Sequence, residues 1–251
     1  MTSIKQCQAN MIVCRDLEEI SQRAVRHVVK LAGETILGKG AFRVALSGGS
    51  TPRSLYTLLA SEPFVGQVEW EKVHFFFGDE RAVLPSSEES NYRMAFDSLF
   101  SKIPVPRKNI HRIKGEEESA SETYEKDLRE SFGLMGDDLP RFDLILLGMG
   151  DDGHTASLFP DTAAIDVTDK MVASVYVEKL DSRRITLTAP VIQNAENIMV
   201  LVSGRDKAEA LGEVLSGLFR PRLYPLQLIR HATGEVVWFV DTPAAAKFPL
   251  A

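Results

Sequence analysis

Short apolar runs that stop at Gly-rich or charged turns constrain this chain most. "FRVALSGGSTP", "VHFFFGDER", "FDLILLGMGDDGH" and "NIMVLVSGRDK" each read as a buried strand delivering polar residues at its end. Continuous apolar runs of this length mark strands covered on both faces, as in parallel sheets. Helical patterns alternate with them. Leu17, Ile20, Ala24, Val28 and Leu31 keep helical spacing behind Asp16, a good N-cap. Pro52 suits the opening of a helix over "RSLYTLLAS", and Ser90 suits an N-cap for "NYRMAFDSLF". Residues Ser119 to Phe132 predict an acidic helix, with "GEEESASE" as its solvated start.

Further strands are expected at "MIVCRD", "KMVASVYV", "RRITLTAP" and "EVVWFVD". "PVPRKNIHRIKG" reads as a connector or short strand, and "YPLQLIR" as a helix start or an extended segment. No repeat or long linker interrupts the alternation. The expected fold is α/β: a single domain over residues 1–251, with a mostly parallel, Rossmann-like sheet and helices on both faces.

In such a sheet the carboxyl ends of the strands share one edge, so residues distant in sequence converge there. His154 in "GMGDDGHTAS" is the best chemical candidate, since imidazole takes and returns protons near neutral pH. Asp152, two residues away, is placed to orient it. "SGGSTP" puts Gly48, Gly49, Ser50 and Thr51 at a helix start, where backbone N–H groups and hydroxyls hold phosphate oxygens. The turn matches neither a P-loop nor a dinucleotide fingerprint, and an ordinary structural turn is the alternative. Arg81 in "GDER" suits either a phosphate or an internal carboxylate. Lys207 sits near a helix start, where a cation opposes the helix dipole and calls for a neighbouring anion. No Gly-x-Ser-x-Gly elbow occurs, which disfavours a serine nucleophile. One histidine with two acids is a poor zinc set, so no metal is expected.

The net charge of −6 argues against a broad nucleic-acid surface, yet allows a few focused cations to bind a small anion. No apolar run reaches bilayer length, and the N-terminus lacks a signal-peptide core. The expected compartment is the cytoplasm, with neither membrane nor nucleic-acid partner. Cys7 and Cys14 form no disulfide framework and lack a companion pair for zinc.

Taken together, "ALSGGSTPRSLY", "FFFGDERAVLP", "ESNYRMAFDSLF", "LLGMGDDGHTASLFP", "RITLTAP" and "VSGRDKAEAL" resemble the 6-phosphogluconolactonase family, in the same order from about Phe42 to Asp241. That family is related in fold to glucosamine-6-phosphate deaminases and ribose-5-phosphate isomerases. The resemblance implies hydrolysis of 6-phospho-D-glucono-1,5-lactone to 6-phosphogluconate, in the oxidative pentose phosphate pathway, on a phosphorylated sugar lactone and without a cofactor. It implies His154 as general base with Asp152 supporting it. It also implies that Arg81 and Lys207 anchor the phosphate beside Gly48, Gly49, Ser50 and Thr51. Asn91 and Arg184 match family positions without an assigned role. Asp79 joins the candidate set, as do Gly150 and Gly153, whose turn offers N–H groups to an oxyanion. The competing readings are a sugar-phosphate isomerase or deaminase using the same pocket, and a non-catalytic sugar-phosphate sensor.

Overall fold

The computed structural model describes residues 10–247; Cys7 lies outside them. The chain runs β1 (Met11–Cys14), α1 (Leu17–Lys39), β2 (Phe42–Leu46), α2 (Ser50–Leu59), β3 (Val73–Phe77), β4 (Asp79–Arg81), α3 (Asn91–Ser98), α4 (Ala120–Phe132), β5 (Leu144–Gly148), β6 (Val172–Val177), β7 (Ser182–Leu187), α5 (Ala189–Gln193), β8 (Asn197–Val202), α6 (Ala208–Ser216) and β9 (Glu235–Asp241). The central sheet has the order β1-β9-β8-β5-β2-β3, with every pair parallel. Its strands are the apolar runs, and nearly every residue of β2, β3, β5 and β8 is buried.

Helices pack around this sheet because each carries one apolar stripe. In α1 the stripe is Ile20, Ala24, Val28, Ala32 and Ile36, which meets β1, β2 and β9. Asp16 caps that helix, accepting the Glu19 N–H at 2.9 Å, a contact worth about 1 kcal/mol. Ser90 caps α3 through the Arg93 N–H at 3.2 Å. Helix α2 opens at Ser50, two residues before Pro52, whose missing N–H costs nothing within the first turn.

Not every strand joins the parallel sheet. β4, β7 and β6 form a second, antiparallel sheet. The separation occurs at Gly78. Its N–H donates to Leu46 O at 2.8 Å in the parallel sheet, and its carbonyl accepts from Leu187 N at 2.8 Å in the antiparallel one. "FFFGDER" is therefore two strands in two sheets rather than one strand and a turn. "YPLQLIR" is a 3-10 turn over Pro225–His231. "PVPRKNIHRIKG" contributes a 3-10 turn and a single bridge, Phe75 to Ile110.

The strand order dictates where a ligand can enter. From β2 the chain goes to β3 on one side, then returns past β2 to β5 on the other. β2 and β5 are thus the switch point of the sheet, where crevices open at the carboxyl ends. The ladder between them pairs Val44 with Leu144 and Ala45 with Ile145. The Ser47–Thr51 turn follows β2, and the His154 loop follows β5.

Candidate active site

A crevice of about 290 Å³ opens at this switch point. It is lined by the Ser47–Pro52 turn, by Asp79, Arg81 and Asn91, by Gly148–Gly150 and His154–Ala156, and by Leu201, Ser203 and Lys207. Gly48, Gly49, Ser50, Thr51, Asp79, Arg81, Asn91, Gly150, His154 and Lys207, singled out from sequence, thus meet in one cavity. Asp152, Gly153 and Arg184 stand outside its lining.

Two buried tyrosines hold the strand ends that frame the crevice. The Tyr56 hydroxyl donates to Ser47 O at 2.9 Å and accepts from Ser47 N at 3.0 Å. Tyr124 treats Phe77 identically, at 3.0 and 2.8 Å. Each phenol satisfies a donor and an acceptor where a strand leaves its ladder, so both turns are rigid before any ligand arrives. The N–H groups of Ser50 and Thr51, in the first turn of α2, have no intrahelical acceptor and remain available to an anion. Gly48 is required by space: a Cβ there would stand 2.0 Å from Asn91 Oδ1.

The His154 loop is built around one carboxylate. Asp152 Oδ1 accepts from His154 N at 3.0 Å and lies 2.6 Å from His154 Nδ1. Lys179 Nζ donates to the other oxygen. Half-burial pushes the Asp152 pKa up, but hydrogen bonds from His154 and Lys179 outweigh it and hold the carboxyl well below the usual carboxylate range. An ionised carboxylate only accepts, so Nδ1 carries the imidazole proton and Nε2 keeps the lone pair. Phe159 stacks on the imidazole, centroids 4.1 Å apart, and fixes its plane. Gly150 makes room for the pair, since a Cβ there would fall 2.0 Å from Nδ1. The turn's amides are partly committed: Gly150 N donates to His154 O at 2.9 Å and Gly153 N to Gly150 O at 3.1 Å. Those two N–H groups are therefore occupied inside the turn rather than offered to an oxyanion.

Asp79 ties the loop to the second sheet. It accepts from Ser157 Oγ at 2.7 Å and from Asn91 Nδ2 at 3.1 Å. Glu80 points the other way and anchors α3. Its oxygens accept from Asn91 N at 2.7 Å, Tyr92 N and Arg81 N at 2.8 Å, and Ser90 Oγ at 3.0 Å. Burial raises the Glu80 pKa against these bonds. The sequence analysis assigned Glu80 no role, and its hold on the start of α3, Ser90 to Tyr92, joins segments ten or more residues apart.

The cations are unevenly satisfied. Lys207 Nζ pairs with Asp206 at 2.9 Å, the neighbouring carboxylate that its position calls for. Arg81 donates through Nη1 to Glu89 O at 2.8 Å and to Asn91 Oδ1, both uncharged, and its buried Nε has no partner. Arg184 lies opposite it, in register on β7. It is 9% exposed, its Nε is also unpartnered, and no carboxylate among the described residues pairs with it. Burial first, and Arg81 second, lower the Arg184 pKa. Two guanidinium groups thus stand side by side at the crevice without an ion pair, with Asp79, Glu89 and Glu80 acting on Arg184 only through their charge. Among the described residues, no group of three or more His, Cys, Asp or Glu is arranged to hold a metal. No helix among them is long and apolar enough to cross a membrane.

Sheet and crevice together define an α/β protein with a hydrogen-bonded His154–Asp152 pair and a cation-lined crevice at the switch point of a parallel sheet. The chain belongs to the family of glucosamine-6-phosphate isomerases/6-phosphogluconolactonase, whose model matches residues 15–238. It is 39% identical over 226 residues to a 6-phosphogluconolactonase of Synechocystis sp., covering 89% of this chain and 91% of the relative. A solved 6-phosphogluconolactonase from Trypanosoma brucei matches 96% of this chain and 98% of its own, with a TM-score of 0.86 at 27% identity. A monomeric glucosamine-6-phosphate deaminase shares the fold, with a TM-score of 0.79 at 22% identity, covering 95% of this chain and 99% of its own.

Proposed function

We propose that this protein is a 6-phosphogluconolactonase, hydrolysing 6-phospho-D-glucono-1,5-lactone to 6-phosphogluconate in the oxidative pentose phosphate pathway, as a single cytoplasmic α/β domain. The observation that carries the reading is the joining, in one crevice, of an imidazole held by an ionised carboxylate and the Arg81 guanidinium, which has no ion pair among the described residues, with Lys207 beside them. The relatives' names and the extent of the match support the same activity.

In this reading the phosphate sits against the Gly48–Thr51 turn, between Arg81 and Lys207, with Arg184 deepening the potential from beside Arg81. Binding at that remote group orients the lactone ring. The lone pair on His154 Nε2 takes a proton from water as its oxygen attacks the carbonyl carbon. Asp152, accepting from Nδ1, stabilises the imidazolium that results. The ring carbon–oxygen bond then breaks, and the imidazolium returns its proton to the leaving oxygen, giving the open acid. Asn91 acts by holding Arg81 and Asp79 in place.

The test is a product-resolved assay with freshly prepared lactone, corrected for spontaneous hydrolysis. Turnover of the phosphorylated lactone is expected to exceed any on glucosamine-6-phosphate or ribose-5-phosphate. Ammonia release or pentose isomerisation at a higher kcat/KM would overturn the reading in favour of the deaminase or isomerase of the same fold. Binding without any turnover would favour a sensor.

A further inference from the structure

The Asp152 carboxylate serves two masters. One oxygen faces His154; the other is held by Lys179, which comes from the turn Glu178–Leu180 between β6 and β7, 27 residues away in sequence. Lys179 Nζ also lies 5.2 Å from the centre of the Phe159 ring, the ring that stacks on His154. A single half-exposed lysine therefore touches both groups that hold the imidazole: its carboxylate and its aromatic support. Lys179, Asp152 and Phe159 stand outside the crevice lining, along the groove beside it.

We infer that Lys179 is a positioning residue for the reaction, which fixes the Asp152 carboxylate toward His154 and offsets its charge. The inference rests on the reading of His154 as the general base. The charge arithmetic is direct. With neutral imidazole, the group His154, Asp152 and Lys179 carries no net charge; taking a proton makes it +1. Without Lys179 the same step goes from −1 to 0, which the environment favours more.

Other charged groups surround the pair. Asp151 precedes it on the same loop, Glu178 flanks Lys179, and Asp161 lines the outer groove beside Asp152. Asp79, Arg81 and Lys207 face His154 across the crevice. All of these are retained when Lys179 alone is replaced, so they cancel in the difference between variant and wild type. Lys179 is half exposed, which makes solvent screening strong and the expected effect modest.

The experiment has two arms, on wild type, Lys179→Met and Lys179→Arg. The first follows the His154 ring by NMR through a pH titration of the resting protein. The second measures kcat and KM for the lactone across the same pH range. In Lys179→Met the His154 titration and the acid limb of kcat are both expected to move to higher pH by about half a unit, with KM within about twofold. Lys179→Arg, which keeps the charge, is expected to restore the limb. An unmoved His154 titration in Lys179→Met overturns the inference, as does a change in KM with the acid limb unmoved. A shifted NMR titration that kcat ignores leaves the contact standing and instead refutes His154 as the base.

Discussion

Arg184 is the side chain whose position costs the most without an obvious structural return. It is 9% exposed, it makes no ion pair among the described residues, and it stands in register with Arg81. Of the nearby acids, Asp79 is engaged with Ser157 and Asn91, Glu80 with three backbone N–H groups and Ser90, and Glu89 acts on Arg184 through its charge without forming an ion pair. Replacing such a charge by an apolar side chain of similar length removes a desolvation penalty. Arg184→Met is therefore expected to stabilise the ligand-free protein by about 1–2 kcal/mol, within the range seen when buried ionic groups give way to apolar ones. For a chain of this size that is a Tm increase of roughly 2–8 °C. Ligand binding changes in the opposite sense. Loss of the second guanidinium beside the phosphate is expected to weaken 6-phosphogluconate binding roughly tenfold, about 1.4 kcal/mol. Differential scanning fluorimetry with and without product reads both effects together. At a product concentration near 100 times the wild-type Kd, wild type gains about 2.7 kcal/mol and the variant about 1.4 kcal/mol. A variant that melts below wild type without ligand, and binds product equally well, would show that Arg184 is an ordinary structural cation and refute this argument.

Other expectations follow from the same contacts. Arg81→Ala and Lys207→Ala are each expected to lower kcat/KM by roughly tenfold or more, the loss of about 1.5–3 kcal/mol in a charge-assisted hydrogen bond; on a lactone lacking phosphate the loss should nearly vanish, and equal losses on both substrates would remove these cations from phosphate recognition. Gly150→Ala places a Cβ on the imidazole, so steady-state kinetics should show a kcat loss much larger than any change in product Kd. The Asp152 carboxyl titrates lower in the folded protein than in the unfolded chain, so its ionised form adds stability that is complete above its ordinary value near 4 and is lost as pH falls below it. Urea melts of Asp152→Asn should show a flatter stability profile below about pH 4 than wild type. Glu80→Gln leaves the α3 N-terminus with a neutral acceptor that reaches fewer of the same donors; a destabilisation of about 1–3 kcal/mol in urea melts is expected, with product Kd little changed.

The parallel sheet was legible because its strands are covered on both faces, and "FRVAL", "LILLG" and "NIMVLV" are apolar without alternation. The second sheet was not separated from the first, although its sequence differs in kind. In "VASVYV" the exposed Ser174 and Tyr176 alternate with buried residues, the mark of an antiparallel sheet with one face in water. Gly78 gave no warning that it ends one sheet and begins another, because its bonds to Leu46 and Leu187 join partners far away in sequence. The same limit applies to the site. His154 and Asp152 are neighbours in a turn, so their pairing could be read directly. The Lys179 contact to Asp152 and the Arg81–Arg184 register depend on how distant segments meet, and no local pattern encodes them.

The central claim is that His154 is the base, held by Asp152 and not needed for binding or folding. His154→Ala tests it on one preparation. Asp152 keeps the His154 backbone N–H and Lys179 as partners in that variant, so Tm should remain close to wild type. Product affinity should hold, because the anion-binding groups lie on other loops. With spontaneous hydrolysis subtracted, kcat on the phosphorylated lactone should fall roughly 10²–10⁴-fold, the usual contribution of a general acid–base group. A folded His154→Ala protein that retains near-wild-type kcat would contradict the account.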